Sequence, residues 1–252
     1  MKGNFLIKPN KKQEYSRVYD NAFLWNEDNL YIMACHRLSL WCWLQVEGIF
    51  ENKHSFIHID RHTDARRWEA PGEAESLKKI LNNFSSLKDF NIFENFQCPF
   101  KKTFETDRDM RPCITYDNFV HLAAEARLFK HYYIYASQGD WHTTLNEKDF
   151  SFYKKTSKIY NLEDTLKKCE GKCVIDVDLD FFDDIRDHIK RVSSTGLLIQ
   201  VFKIIEKYRD DISMLTISIN DVSGNQMWKD RMEQLSIIKD ILNLEVPIPV
   251  ME

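Results

Sequence analysis

Short, strongly apolar runs alternate along the chain with longer stretches in which apolar residues recur at helical spacing, and this predicts strands joined by helices. Residues 29–34 (Asn-Leu-Tyr-Ile-Met-Ala) read as a buried strand, residues 38–49 as a helix, and His36 falls at the join. A second unit runs from a strand over 55–59 through Asp60-Arg61-His62-Thr63-Asp64 and a Pro71-Gly72 loop to a charged helix over 73–81. Residues 84–114, rich in Phe, Asn and Lys and interrupted by Cys98-Pro99 and Arg111-Pro112, depart from the pattern and read as an insertion. Asp117 stands where it would cap a helix over 118–129, and 132–136 form an aromatic-rich strand shortly before His142. Residues 172–175 begin another strand that runs into Asp176-Val177-Asp178-Leu179-Asp180-Phe181-Phe182. Ser194 precedes a helix over 196–207, residues 214–219 make the last strand, and 226–242 the last helix. Strands spaced by such helices imply a mostly parallel sheet with helices on both faces, and the 252 residues are expected to form one domain.

In parallel sheets ligands bind beyond the carboxyl ends of the strands. His36, the Asp60/His62/Asp64 set, His142 and the Asp176/Asp178/Asp180 set all fall at such ends, so one sheet would gather them at one edge. If the strand continues past Ile59, Asp60, His62 and Asp64 leave on one face, as Asp176, Asp178 and Asp180 do on theirs. Carboxylates packed this closely repel one another and are costly to bury unless protonated, paired or bound to metal. Oxygen donors beside imidazole suit Mn, Fe or Zn, and two acids flanking a histidine can hold two cations. Single histidines are more often hydrogen-bonded core or surface residues than ligands. His58 is expected to be buried and hydrogen-bonded, and His54, His121, His131 and His188 to be solvated. The Trp41/Trp43 and Phe181/Phe182 pairs read as core.

Composition removes several function classes. The 35 basic and 39 acidic residues leave a net charge of −4, without the basic excess of a nucleic-acid binder. Seven glycines form neither a Walker loop nor GxGxxG, and HExxH and Gly-x-Ser-x-Gly are absent. No apolar stretch reaches membrane-spanning length, so no membrane partner is expected. Six cysteines without a CxxC pair or a secretory leader are expected to be reduced thiols in a cytoplasmic protein.

Strand-then-His, Asp-x-His-x-Asp and Asp-x-Asp, in this order at successive strand ends, resemble the metal-binding pattern of the arginase and ureohydrolase superfamily. Asp60-Arg61-His62-Thr63-Asp64 is its closest match. Cys35-His36-Arg37-Leu38-Ser39 together with 174–182 looks more narrowly like a divergent branch that includes bacterial peptide arginases, which convert arginine residues of a ribosomally made precursor peptide to ornithine. The resemblance spans most of residues 29–222 and implies a three-layer α/β/α sandwich with two Mn ions, Fe or Zn being alternatives. It would make His36 a ligand of the first metal and His62 of the second, with Asp60 and Asp64 between or beside them. Asp178 and Asp180 keep the family spacing and would complete the set, leaving Asp176 behind the ligands, or among them if the register shifts. Asp180 would also orient the attacking hydroxide and pass its proton to the leaving nitrogen, and His142 would exchange protons with solvent. Where superfamily arginases carry a glutamate after the last core strand, this chain has Asn220-Asp221, so Asp221, assisted by Asn220, is the expected guanidinium anchor.

Ala65-Arg66-Arg67-Trp68 stands where enzymes for free arginine place polar residues. Two arginines there suit an acidic or extended peptide better than a free amino acid. The expected activity is therefore peptidyl-arginine hydrolysis to ornithine and urea. The rivals are a small-molecule ureohydrolase, a metal-dependent deacylase and a non-enzymatic peptide-binding module.

Overall fold

The computed structural model describes residues 3–8, 23–66, 73–101, 108–112, 114–115, 117–136, 153–156, 159–169, 171–187, 190–219 and 225–246. In chain order the first elements are β1 (Asn4–Ile7), β2 (Leu24–Glu27), β3 (Leu30–Met33), α1 (Leu38–Leu44), β4 (Ser55–Asp60), α2 (Glu73–Asn82), α3 (Phe90–Asn95), β5 (Gln97–Lys101) and β6 (Arg108–Pro112). Next come α4 (Phe119–Glu125), β7 (His131–Ala136), β8 (Tyr153–Thr156), α5 (Leu162–Lys168) and β9 (Cys173–Asp178). The last are β10 (Asp183–Asp187), β11 (Lys190–Ser193), α6 (Thr195–Lys207), β12 (Ile212–Ser218) and α7 (Asn225–Leu242).

Eight strands form one mixed, mostly parallel sheet in the order β1-β2-β3-β12-β9-β4-β7-β8. β3, β12, β9, β4, β7 and β8 pair in parallel, and β1 and β2 add antiparallel at one edge. The chain leaves β4 toward its neighbour β7 and leaves β9 toward its other neighbour β12. Connections departing in opposite directions open a crevice at the carboxyl ends of β4 and β9, the position where such sheets take ligands. β4 and β9 are buried at all six positions, as strands covered on both faces must be.

Residue alternation assigns the faces. Phe56, Tyr132, Ile134, Val174 and Met214 pack with Leu38, Trp43, Phe119 and Leu122 of α1 and α4. Ile57, Ile59, Ile175, Val177, Leu215 and Ile217 pack with Leu162, Phe202 and Leu235 of α5, α6 and α7. On the first face the strands turn polar toward their carboxyl ends. Phe56 is followed at two-residue intervals by His58 and Asp60, Val174 by Asp176 and Asp178, and Met214 by Thr216 and Ser218. The crevice thus has an apolar base and a buried polar rim.

Several expectations are corrected. α1 stops at Leu44 rather than reaching 49, and left-handed Gly48 (φ 68°) leads into a 3-10 turn at Ile49–Glu51. β4 ends at Asp60 and β9 at Asp178, so His62, Asp64 and Asp180 do not share strand faces with them but lie in the turns beyond. Asp117 does not cap α4; Asn118 holds that position, and Asp117 instead accepts from the Thr115 hydroxyl at 2.5 Å and pairs with Arg66. Residues 84–114 are more regular than expected, with a 3-10 turn at Phe84–Lys88, α3 capped by Asp89, and an antiparallel β5–β6 hairpin. His121 is buried rather than solvated, because all of α4 from Phe119 to Ala124 is covered; His54 and His131 are half-buried. His188 lies outside the described residues.

Candidate metal centre

The turn between β3 and α1 carries His36 over the crevice, held by backbone hydrogen bonds from Leu38 to Cys35 and from Ser39 to His36. Its Nδ1 lies 3.2 Å from Asp60 Oδ2, 3.0 Å from Asp64 Oδ2 and 3.1 Å from Asp178 Oδ2. None of these oxygens closes a hydrogen bond with Nδ1, which is buried and unsatisfied, as are Asp60 Oδ2 and His58 Nε2. Buried polar atoms without a partner cost about 1–3 kcal/mol each, so a polar core serving only structure would pair them. Donor sets of mixed N and O type, His36/Asp60/Asp178 and, overlapping it, His58/Asp60/Asp64, are instead the makings of a cation site.

A second group shares Asp60. Asp60 Oδ1 lies 3.6 Å from His62 Nδ1, and Asp180 Oδ2 lies 3.4 Å from the same nitrogen. The two oxygens of Asp60 therefore face different imidazoles, Oδ2 toward His36 and Oδ1 toward His62. The turns are fixed by their own backbone. Asp60 Oδ1 accepts from His62 N at 2.6 Å, Asp178 Oδ1 from Asp180 N at 3.0 Å, and Asp180 Oδ1 from Arg61 N at 3.3 Å. Asp64 has left-handed backbone (φ 48°), and its carbonyl accepts from Val120 N at 3.1 Å, which ties that turn to α4. Asp tolerates this conformation better than most side chains.

Asp176 stands behind these groups. Its Oδ2 accepts from His36 Nε2 and His58 Nδ1, both at 2.8 Å, while its Oδ1 accepts from the Thr216 hydroxyl at 2.5 Å. Trp43 Nε1 in turn donates to Thr216 at 3.2 Å. Strand register puts His58, Asp176 and Thr216 side by side across β4, β9 and β12. Although His36, His58 and Asp176 are also close enough to hold an ion, the hydrogen bonds already occupy Asp176. A carboxylate that takes one ring N–H turns the other ring nitrogen toward the metal position, the usual support for a ligating histidine. Phe119 covers the His36 ring at 4.8 Å between centroids and Phe56 stacks on His58 at 5.9 Å, so water is excluded from that side.

The titration pattern follows from this crowding. Burial opposes ionisation of Asp60, but the imidazoles of His36 and His62 hold its carboxyl well below the usual range. Burial, and then the Asp60 charge, push Asp64 well up; burial with Asp180 and Asp60 raises Asp178 to about 7. Asp180 is raised by burial and Asp60, against the pull of His62. Burial disfavours charge on His36, yet Asp176, Asp178 and Asp60 lift it well above the ordinary histidine value. Pairing with the Asp180 and Asp60 carboxylates raises His62 to about 11. The cluster thus retains protons where a cation would otherwise balance its carboxylates.

The crevice therefore brings together His36, Asp60, His62, Asp64, Asp178 and Asp180, with Asp176 behind them. His142, Asn220 and Asp221 lie outside the described residues. Sequence reading did not anticipate Thr216 and Trp43, whose nearness depends on register. Nor did it anticipate Arg231 on α7, buried and paired through both terminal nitrogens with Asp183 at 2.9 and 2.7 Å. Arg231 also donates to the Leu179 carbonyl at 3.1 Å, so it clamps both sides of the turn carrying Asp180. An arginine within an otherwise half-apolar helix was the available signal. Arg66, expected to reach outward toward an acidic guest, is bound by Asp117 at 2.9 Å. Arg67 and Trp68 lie outside the described residues.

Against protein-family models and curated proteins, the sequence has no match. Among the described residues, no helix is long and apolar enough to cross a membrane.

Proposed function

We propose that the chain is a dinuclear metal hydrolase that converts arginine residues of a ribosomally made precursor peptide to ornithine with release of urea, on a three-layer α/β/α sandwich of the arginase kind. The observation that carries the reading is the convergence of three carboxylate oxygens on the unsatisfied His36 Nδ1, with Asp60 shared by a second group. The guanidino substrate rests on the resemblance of Asp60-Arg61-His62-Thr63-Asp64 and its companions to ureohydrolase motifs.

His36, Asp60, Asp64 and Asp178 would hold one ion, and Asp60, His62 and Asp180 the other. Two such ions, Mn in the first instance and Fe or Zn as alternatives, would supply Lewis acidity and a nucleophilic hydroxide at neutral pH. The chain's own groups do the rest. His62, 43% exposed at its side chain beside nearly buried Asp60 and Asp180, marks the open side from which a guanidinium would enter. Asp180, with its raised affinity for a proton, would carry the proton toward the leaving nitrogen. Asp176 would keep the His36 ring oriented, and Asp221 and Asn220 would receive the cationic group.

Mass spectrometry of arginine-containing peptides after incubation with Mn-loaded protein tests this: each converted arginine should lose one carbodiimide equivalent as urea forms. Unchanged peptides, with urea released from free arginine or agmatine, would reject the peptide substrate. The Arg66–Asp117 pair favours that second reading, a small-molecule ureohydrolase, because it removes one of the two arginines from peptide recognition.

A further inference from the structure

A different edge of the sheet carries a second chemically competent feature. Cys169 ends α5, with its backbone N–H bonded to the Thr165 and Leu166 carbonyls, and Cys173 opens β9. Gly171 between them has left-handed backbone (φ 81°), a conformation open to glycine, and both cysteines line one pocket. Within it the two thiols are near enough for each to perturb the titration of the other. The pocket measures about 350 Å³ and is also lined by Lys167, Lys172, Tyr208 and Asp211. Cys169 is half-buried, whereas Cys173, like Cys35 and Cys42, is buried.

We propose that Cys169 and Cys173 form a thiol–disulfide exchange site for acidic, low-molecular-weight disulfides such as glutathione disulfide. The pair is poised unequally. Cys169 is half-buried and Cys173 buried, and contact between them lowers the Cys169 thiol from its ordinary value while that contact and burial push Cys173 up. Cys169 is therefore the attacking sulfur. Its thiolate attacks one sulfur of the guest disulfide, the S–S bond breaks, and one guest thiolate leaves and takes up a proton. The Cys173 thiol then gives up its proton and attacks Cys169 sulfur, expelling the second guest thiolate. Two protein thiols are oxidised to one disulfide and one guest disulfide is reduced to two thiols. Lys172 in the lining suits a carboxylate of such a guest, and Lys167, paired with Glu163 at 3.2 Å, lies beside it. β9 separates this pair from Asp178 by five residues at about 3.3 Å each, roughly 16 Å, so the two sites are chemically independent.

The test uses the full chain, folded and reduced, incubated with glutathione disulfide, quenched with acid and digested with trypsin. Cleavage after Lys168 and Lys172 separates the two cysteines, so their disulfide appears as two cross-linked peptides. The expected result is this cross-link forming at least about tenfold faster than any adduct on Cys35 or Cys42. Cys173→Ser should stop at a glutathione mixed disulfide on Cys169, and Cys169→Ser should leave Cys173 unmodified. If Cys173→Ser fails to fold, the wild-type cross-linking rate alone decides. Cys169 and Cys173 both remaining reduced in folded protein, or reacting no faster than Cys35 and Cys42, would overturn the proposal.

Discussion

Replacing Asp178 by Asn separates a metal ligand from a structural hydrogen-bonding residue, because the two roles predict opposite effects on the metal-free protein. Burial and the nearby Asp180 and Asp60 carboxylates raise Asp178 to about 7 in the folded chain, from 3.8 when it is exposed. A folded-state value above the unfolded one means that the neutral form contributes stability below about pH 4, and that this contribution is lost as pH rises through about 7. An uncharged amide keeps its contribution at all pH values, and its oxygen can still accept from Asp180 N. About three pK units correspond to an upper bound of roughly 4 kcal/mol, shared among coupled groups. Metal-free Asp178→Asn should therefore be more stable than wild type by about 2–4 kcal/mol above pH 7, and equally stable near pH 4. Its metal binding should be lost.

Asp176→Asn should do the reverse. Asp176 accepts two imidazole N–H groups and one hydroxyl, and hydrogen bonds to charged groups are worth about 1.5–3 kcal/mol. The metal-free variant should be less stable by that order, and metal affinity should fall about 10–100-fold as His36 loses its orienting partner. Urea unfolding in the presence of chelator, followed by metal titration of each variant, measures both effects. Equal destabilisation by Asp178→Asn and Asp176→Asn above pH 7 would refute the distinction and make the cluster an ordinary polar core.

Other outcomes follow from the same geometry. Arg231→Ala takes the guanidinium partner from the largely buried Asp183 carboxylate, and should destabilise the chain by about 3–5 kcal/mol in urea unfolding; partial recovery in Arg231→Met/Asp183→Asn is expected, and a neutral Arg231→Ala would contradict the clamp. Because His62 is held protonated up to about 11 and Asp178 to about 7, metal binding should expel protons and strengthen as pH rises through 6–9. Calorimetry in buffers of different ionisation enthalpy reads the proton count, and zero release would contradict the assignment. Phe56→Ala removes a ring packed on Phe129 and Trp43 and should cost about 3–5 kcal/mol, whereas a cost below about 1 kcal/mol would mean the apolar base under the site is not close-packed.

Much of the parallel sheet was legible in the sequence because buried strands such as Phe56 to Ile59 and Val174 to Val177 are short and apolar, with helices between them at regular intervals. Gathering of His36, Asp60 and Asp178 followed from placing them at strand ends, without knowing strand order. Strand ends were less legible: the same alternation that continues a strand through Asp64 or Asp180 is equally compatible with a turn, and the structure turns at both. His58 was expected to be buried and hydrogen-bonded, and it is, on Asp176. The relay from Trp43 through Thr216 to Asp176 was invisible because it joins residues 173 and 40 positions apart, a matter of register rather than local pattern. The antiparallel strands β1 and β2 and the two-stranded pairs β5–β6 and β10–β11 carry no long apolar run, and their pairing is set by neighbours already in place.

The central claim is that the buried aspartate–histidine cluster is a metal centre, and Mn reconstitution followed by elemental analysis and electron paramagnetic resonance tests it most directly. With Asp60 shared between the groups around His36 and His62, the account predicts about two Mn per chain and a spin-coupled spectrum, both abolished in Asp60→Ala. Less than one metal per chain after reconstitution of folded wild-type protein would contradict it.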